Sequence, residues 1–411
     1  MRFSTAKFHA LDLAGPPKFG AELPALTALL PTVPPGDRPR SVLITHVLDT
    51  AVAYVEAVHS VFPVARVVAI PYSASATAVQ ALRAKGFSVV VPNSIPDTFV
   101  ESERQVTEAL KEANSPLLVQ EVGGYLAKAS ARLANFPHFL GVVEDTNNGH
   151  WLYESTGPHP IPVLSMAQSP LKAVEDSIIG DAVIFSVERI LREEVAAICQ
   201  GLRCGVIGFG KIGRSSAVAL KGREAVVSIY DINPAKDMGA KVDGFFPRPL
   251  HDLLPEAELV VGCTGQTSIR LVDMPFIKDG AILVSASSKA VEFALADFER
   301  ECTVEKFSDL IWRFTQASGK RFYVLLQGTP VNFRDGSILG TILDMIYCEL
   351  FVCMREVAAK NAPIGLSKSP PPLQDEVAKA WMRAHSDDFP KAVDDKIWDY
   401  PESLKLGQPK P

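Results

Sequence analysis

Short runs of β-branched and aliphatic residues punctuate the first half of the chain at 41–45, 66–70, 88–91, 117–120, 139–143 and 161–165. Between them apolar residues recur at helical spacing, notably over 49–58 and 76–84. Runs that are apolar at successive positions predict strands buried on both faces, and their alternation with helices predicts a parallel sheet covered on both sides. A second series begins at Leu202 and continues through 258–263, 281–285 and 321–326. A long helical stretch over 175–200 joins the two series, so the 411 residues, too many for one compact core, divide into two α/β units in tandem. The predicted division is 1–180 completed by 336–385, then 181–335, then a tail over 386–411. After about Gly336 the pattern turns helical. Its most apolar part, 337–354, carries Asp344 and Glu349 and therefore predicts a buried or interface helix rather than a membrane span. Ser369-Pro370-Pro371-Pro372 reads as a linker.

The second unit opens on the sharpest local signal. A short strand through Val206 and Ile207 enters Gly208-Phe209-Gly210-Lys211-Ile212-Gly213, a helical stretch follows to Leu220, and a buried run over 226–230 ends at Asp231. The first glycine permits the tight turn, the second lets a pyrophosphate approach the backbone, and the third lets helix pack on strand. The helix N-terminus offers unpaired N–H groups to the phosphates, and an acid about 20 residues on can accept from a ribose 2′-hydroxyl. Gly208, Gly210, Lys211, Ile212, Gly213 and Asp231 are thus candidate dinucleotide residues, and the acid favours NAD over NADP. The plainer reading is a glycine turn in an ordinary α/β unit. The fold class expected is α/β, with two Rossmann-like parallel-sheet domains and a helical C-terminal segment.

A net charge of -6 and no Lys/Arg-rich run give no electrostatic case for nucleic acid. No run of 18 apolar residues appears, and the N-terminus has no apolar core of signal-peptide length, which predicts neither membrane nor export. Six cysteines without a CxxC, and without His at zinc spacing, predict reduced thiols in a cytoplasmic protein and no metal site.

Three further stretches carry chemistry: Glu144-Asp145-Thr146-Asn147-Asn148-Gly149 at a predicted strand end, 169–177 before the joining helix, and Gly328-Thr329-Pro330-Val331-Asn332 after the last strand of the second unit. Taken alone, Lys172 and Asp176 are four apart and read first as a surface ion pair, Asp145 as a turn residue, and His46 as a satisfied histidine at a helix start.

In this order and spacing the stretches resemble the S-adenosyl-homocysteine hydrolase family, over about 41–349. The first is similar to the family's EETTTG, 171–177 to its SKFDN segment, the glycine turn to its GYGDVGKG, 45–52 to LHMTVETAV and 329–333 to LVNLG. The resemblance implies that Asp145 binds the substrate ribose, that Lys172 and Asp176 serve oxidation of the sugar 3′-hydroxyl, and that His46 transfers a proton near C5′. It implies too that Asn332 contacts the nicotinamide, with Thr146, Asn147, Asn148, Ser177, Thr264 and Gly265 along the NAD. Lys172 beside a cationic nicotinamide is expected to have a lowered pKa, so that it takes the hydroxyl proton, with Asp176 orienting it. A homo-oligomer, dimer or tetramer, is implied, supported by the apolar helix over 338–351.

The departures fall on one side of this machinery. The family's acid-base aspartate falls on Ala76, its histidine near the C5′ substituent on Ser288, and the loop after Asn332 is shortened. Each lost acid-base group costs about 10²–10⁴ in rate. The expectation is therefore an NAD-dependent, redox-neutral enzyme that oxidises an adenosine-like nucleoside at C3′, deprotonates C4′, and eliminates, as in dehydration, or epimerises, with nucleoside-antibiotic tailoring of the angustmycin dehydratase type as its most concrete form. The alternatives are authentic S-adenosyl-homocysteine hydrolysis and a catalytically silent NAD-binding regulatory relative.

Overall fold

The structure, a computed structural model, describes residues 22–31, 38–287 and 290–386. Its first sheet has seven strands, all parallel, in the order Gly365–Lys368, Pro162–Ser165, Phe139–Glu144, Leu117–Glu121, Arg40–Val47, Val64–Ala74, Val89–Val90. Successive side chains point to opposite faces, and both faces are covered. Val42, Ile44, Val119 and Val142 enter one core with Val106 and Leu110 of the Ile95–Glu112 helix. Leu43, Leu118 and Val143 enter the other, with Tyr54 and Val58 of Ala51–Val61 and Phe351 of Ile342–Ala358.

The second sheet runs Cys302–Lys306, Ile311–Gln316, Arg321–Leu325, Ala281–Ser285, Leu259–Gly262, Arg203–Ile207, Val226–Tyr230, Phe246–Pro247. It is parallel from Arg321–Leu325 onward, and the first two strands form an antiparallel extension. The α/β class with two mostly parallel sheets therefore stands as expected. The antiparallel pair was not legible because the solvated Glu305, Lys306 and Arg313 break the apolar run, and Glu305 pairs with Arg313 across it.

Three details differ from expectation. The joining helix is Pro170–Val195, five residues earlier than read, because Ser169 caps it by accepting from Lys172 N at 3.0 Å, and proline is at ease in a first turn. It ends where Ala196 turns left-handed, at φ 51°. The Ser369–Pro372 stretch is no linker: Ser369 N donates to Ser165 O at 2.8 Å, and Pro371 starts the Pro371–His385 helix, where a missing N–H costs nothing. The apolar Ile342–Ala358 helix is buried within its own chain, so the support it lent to a second copy falls away. Its Asp344 accepts from Ala25 N at 2.9 Å and Leu26 N at 3.0 Å and pairs with His385 at 2.7 Å, tying flanking helices to it. No helix among the described residues is long and apolar enough to cross a membrane.

The Pro170–Val195 helix begins beside the first sheet and ends in the core of the second, with Val183, Val187 and Ile190 buried there. A side chain at Gly180 would place its Cβ 2.2 Å from Ser216 N, so only glycine lets this helix cross the Lys211–Gly222 helix so closely.

Candidate active site

Asp145 leaves the C-terminal end of the Phe139–Glu144 strand, where parallel sheets present ligand groups. The preceding residue fixes it there. Glu144 is fully buried and accepts from Gly123 N, Gly124 N, Thr146 N and Thr146 Oγ1 at 3.0, 2.9, 2.7 and 2.8 Å. Thr146 in turn caps the Asn147–Thr156 helix through Gly149 N at 3.1 Å. Burial pushes the Glu144 carboxyl up to about 7 despite these donors, and its neighbour Glu121, bonded to Tyr153 OH, up to about 8.

Lys172, one turn into the joining helix, reaches back to this strand end. Its Nζ lies 3.0 Å from Asp145 Oδ1 and forms a second ion pair with Glu175. All three are nearly buried. Burial alone would lower the Lys172 pKa as expected from sequence, but Asp145, Glu175 and Asp176 outweigh it and hold the ammonium above its ordinary value. Asp176, expected to orient Lys172, pairs instead with Lys211 at 3.2 Å, at the first residue of the glycine-turn helix. The acid set of the first unit is thus linked directly to the dinucleotide turn of the second.

That turn fits a dinucleotide. Gly208 has φ +93°, and a Cβ there would lie 2.9 Å from Cys263 O. A Cβ at Gly213 would lie 1.8 Å from Gly208 O, whereas one at Gly210 would project into open space beside the helix N-terminus, where a pyrophosphate needs room. Asp231 ends its strand and accepts from Phe209 N at 2.6 Å and Asn233 N at 2.8 Å, which fixes its carboxylate with lone pairs left for a ribose hydroxyl. Ile212 packs on the core below.

The remaining candidates fall along the seam between the units. A Cβ at Gly265 would lie 3.0 Å from Asn148 Oδ1, so the loop after the Leu259–Gly262 strand abuts the start of the Asn147–Thr156 helix, beside Asn147. Thr264 N and Gly265 N both donate to Glu292 Oε1 at 2.7 Å. Ser177 faces the glycine-turn helix, its carbonyl accepting from Ser215 Oγ at 2.6 Å. Asn332 is buried, and its amide closes the following turn on Ser337 Oγ at 2.9 Å. Glu144, Glu175 and Glu292 were not singled out from sequence. The first two stand in Glu-Asp doublets of which the second acid drew the attention, and that doubling was the available signal.

Residues 184–338 match the family model for the S-adenosyl-L-homocysteine hydrolase NAD binding domain. The second unit therefore carries the NAD-binding domain of this hydrolase family. Its dinucleotide is accordingly NAD. An adenosylhomocysteinase of Thermotoga maritima is 27% identical over 274 residues, 65% of this chain and 66% of that protein. An S-inosyl-L-homocysteine hydrolase of Methanothermobacter thermautotrophicus is 23% identical over 60% of each chain. The chain spans less than two thirds of the length of these curated relatives. Among solved structures, a pyruvate reductase of Chlamydomonas reinhardtii aligns at a TM-score of 0.42 with 14% identity, over 80% of this chain and 98% of that one.

The two positions expected from the resemblance to carry acid-base groups near C5′ hold Ala76 and Ser288. Ala76 opens the Ala76–Ala84 helix and carries no acid, and Ser288 lies outside the described residues. His46, near the end of its strand, is enclosed by Phe333 at 4.5 Å and Tyr72 at 5.9 Å between ring centroids. Its Nδ1 lies 2.5 Å from Ser73 Oγ, which donates to Ile70 O at 3.2 Å, so Nδ1 carries the proton and Nε2 is left as the acceptor. Burial lowers the His46 pKa to about 4, with Asp145 opposing and Lys172 assisting. The folded value lies below the unfolded one, so stability falls as pH drops from the usual histidine range toward about 4. In nitrogen NMR the His46 ring is expected to stay neutral, in the Nδ1-protonated tautomer, throughout weakly acidic pH. A ring that charges with an ordinary histidine midpoint would contradict this environment.

Proposed function

We propose that this protein is an NAD-dependent, redox-neutral enzyme that oxidises an adenosine-like nucleoside transiently at C3′, removes the proton from C4′, and eliminates or epimerises at C4′/C5′. The observation that carries the reading is an asymmetry. The linked set of Asp145, Lys172, Glu175, Asp176 and Lys211 joins ribose-binding acids to the glycine turn, while the C5′ side offers Ala76 and an aromatic enclosure about His46. An enzyme that kept its oxidation residues and lost its C5′ acid has reason to oxidise, but little means to release and hydrate at a thioether carbon.

In this reading the unit over 1–180, completed by 336–385, holds the nucleoside and 181–335 holds NAD. Asp145 accepts from the vicinal sugar hydroxyls, and Lys172, held charged, donates to the 3′-oxygen and fixes its distance from the nicotinamide end. NAD accepts the hydride and returns it. A carbonyl at C3′ acidifies C4′, and neutral His46, with Nε2 free to accept, is the candidate to move the proton there. Phe333 and Tyr72 keep water from the ketone. The names of the relatives differ in the base, adenosyl in one and inosyl in the other, so the sugar chemistry is the part of the substrate that they share.

Those same names favour a second reading, thioether hydrolysis of a nucleosyl-homocysteine. The test is to incubate the NAD-loaded protein in deuterated water with adenosine, ketohexose nucleosides and S-adenosyl-homocysteine, following product mass, deuterium at C4′ and free thiol. Loss of water or inversion with deuterium uptake, and almost no thiol, is expected. Thiol release at an enzymatic rate would establish the hydrolase instead, and no exchange with any nucleoside would leave an NAD-binding relative without this chemistry.

A further inference from the structure

Lys172 poses a chemical problem that its surroundings answer. If it is held protonated, it cannot itself be the resting acceptor of a hydroxyl proton. One ammonium is shared between two carboxylates, Asp145 on the strand-end side and Glu175 one helical turn further on. Its third N–H remains for a substrate oxygen. Asp176 is not the group behind it, because that carboxylate pairs with Lys211. Three nearly buried acids share the buried Lys172 and the half-exposed Lys211, which leaves an excess negative charge that the cluster can relieve by binding one proton.

We propose that Glu175 is the positioning residue that accepts this proton through Lys172. The inference rests on the oxidation reading above. In the forward step the C3′–H bond breaks and its hydride leaves for NAD+. The hydroxyl proton passes to Lys172 as Lys172 passes one of its own to the Glu175 carboxylate. The lysine stays singly charged throughout, Glu175 goes from carboxylate to acid, and both transfers reverse when the ketone is reduced. Asp145 does not compete for the proton, because in this reading it is committed to the sugar hydroxyls, whereas Glu175 has only Lys172 to serve. The groups facing Glu175 support the exchange. Burial first, then Asp145 and Asp176, push its carboxyl up, Lys172 pulls it down, and the balance is about 7. Tyr347 of the Ile342–Ala358 helix interacts with its charge, and Glu349 of the same helix accepts from the Ser169 cap at 2.7 Å. Lys172 therefore stays the cation, and Glu175 is the member of the pair whose charge can change near neutrality.

The test compares wild type with Glu175→Gln and Glu175→Asp, each loaded with NAD+ and mixed with adenosine, by the rate of nicotinamide reduction against pH. Glu175→Gln is expected to slow reduction by about a hundredfold with KM little changed and to flatten the acidic limb of the profile, and Glu175→Asp to recover part of the rate with the limb restored. An unchanged rate and profile in Glu175→Gln overturns the proposal. A second readout needs no turnover: carbon NMR of labelled glutamate carboxyls should show, beside those of Glu121 and Glu144, one further resonance titrating near neutrality that is absent in Glu175→Gln and moves to higher pH in Lys172→Met. If wild type reduces no NAD with any nucleoside, the oxidation reading fails by itself. A Glu175 carboxyl that does not titrate near neutrality, or ignores Lys172, overturns the inference whatever the nucleoside assay gives.

Discussion

Lys172→Met is expected to lower the rate of nicotinamide reduction by about a thousandfold or more, because in the proposed reading it removes the cation that faces both Asp145 and the reacting oxygen. Its effect on stability should depend on pH in a direction that ordinary cavity formation would not produce. Asp145 and Glu175 would remain nearly buried with their counter-charge gone. Breaking a buried pair from one side costs roughly 3–5 kcal/mol when the partner must stay charged, and less when it can protonate. Without Lys172, which pulls it down, the folded-state pKa of Glu175 rises further above the unfolded value. The variant should therefore be close to wild type in acid, where both states are protonated, and lose stability as pH rises through the raised folded values. Urea unfolding at acidic and at alkaline pH measures this. An equal loss at both would mean that Lys172 contributes packing rather than charge.

Much of this arrangement could be read before the structure, and what could not was hidden for definite reasons. The apolar runs near 41–45 and 139–143 gave the strands because they are short, continuous and bear β-branched residues, as strands buried on both faces do. The glycine turn was legible because each glycine answers a steric demand that the structure meets, down to the 1.8 Å between a Cβ at position 213 and Gly208 O. Lys172, Asp145 and Asp176 were legible only through a family resemblance. Spacing placed Lys172 and Asp176 on one helix face, but could not tell that Asp176 would turn to Lys211 and leave Glu175 for the lysine. That choice depends on where the second unit docks, which no local pattern encodes. The antiparallel pair over 302–316 was lost for the opposite reason, since a half-exposed strand mixes charge into its apolar run.

Gly149→Ala is expected to destabilise the chain by roughly 3–5 kcal/mol and to abolish nicotinamide reduction with it, although the residue bears no functional group. A Cβ there would fall 2.1 Å from the carboxyl carbon of Glu144, which is fully buried and cannot swing to water. Glu144 could yield only by surrendering its bonds to Gly123 N, Gly124 N and Thr146, and these hold the strand end from which Asp145 projects. The neighbouring backbone cannot give either, because a Cβ at Gly124 would already lie 2.9 Å from Gly149 Cα. The mechanism is open to a double-mutant cycle with Glu144→Ala. Once the carboxylate is gone the new methyl has room, so the double variant should be more stable than the sum of the single losses by about 1 kcal/mol or more. Additive losses would show that the Gly149 methyl strains the Asn147–Thr156 helix itself and that the buried acid is not its obstacle. The coupling expected here would make Glu144 the residue that ties Asp145 to the helix facing the dinucleotide loop, so that neither can move without the other.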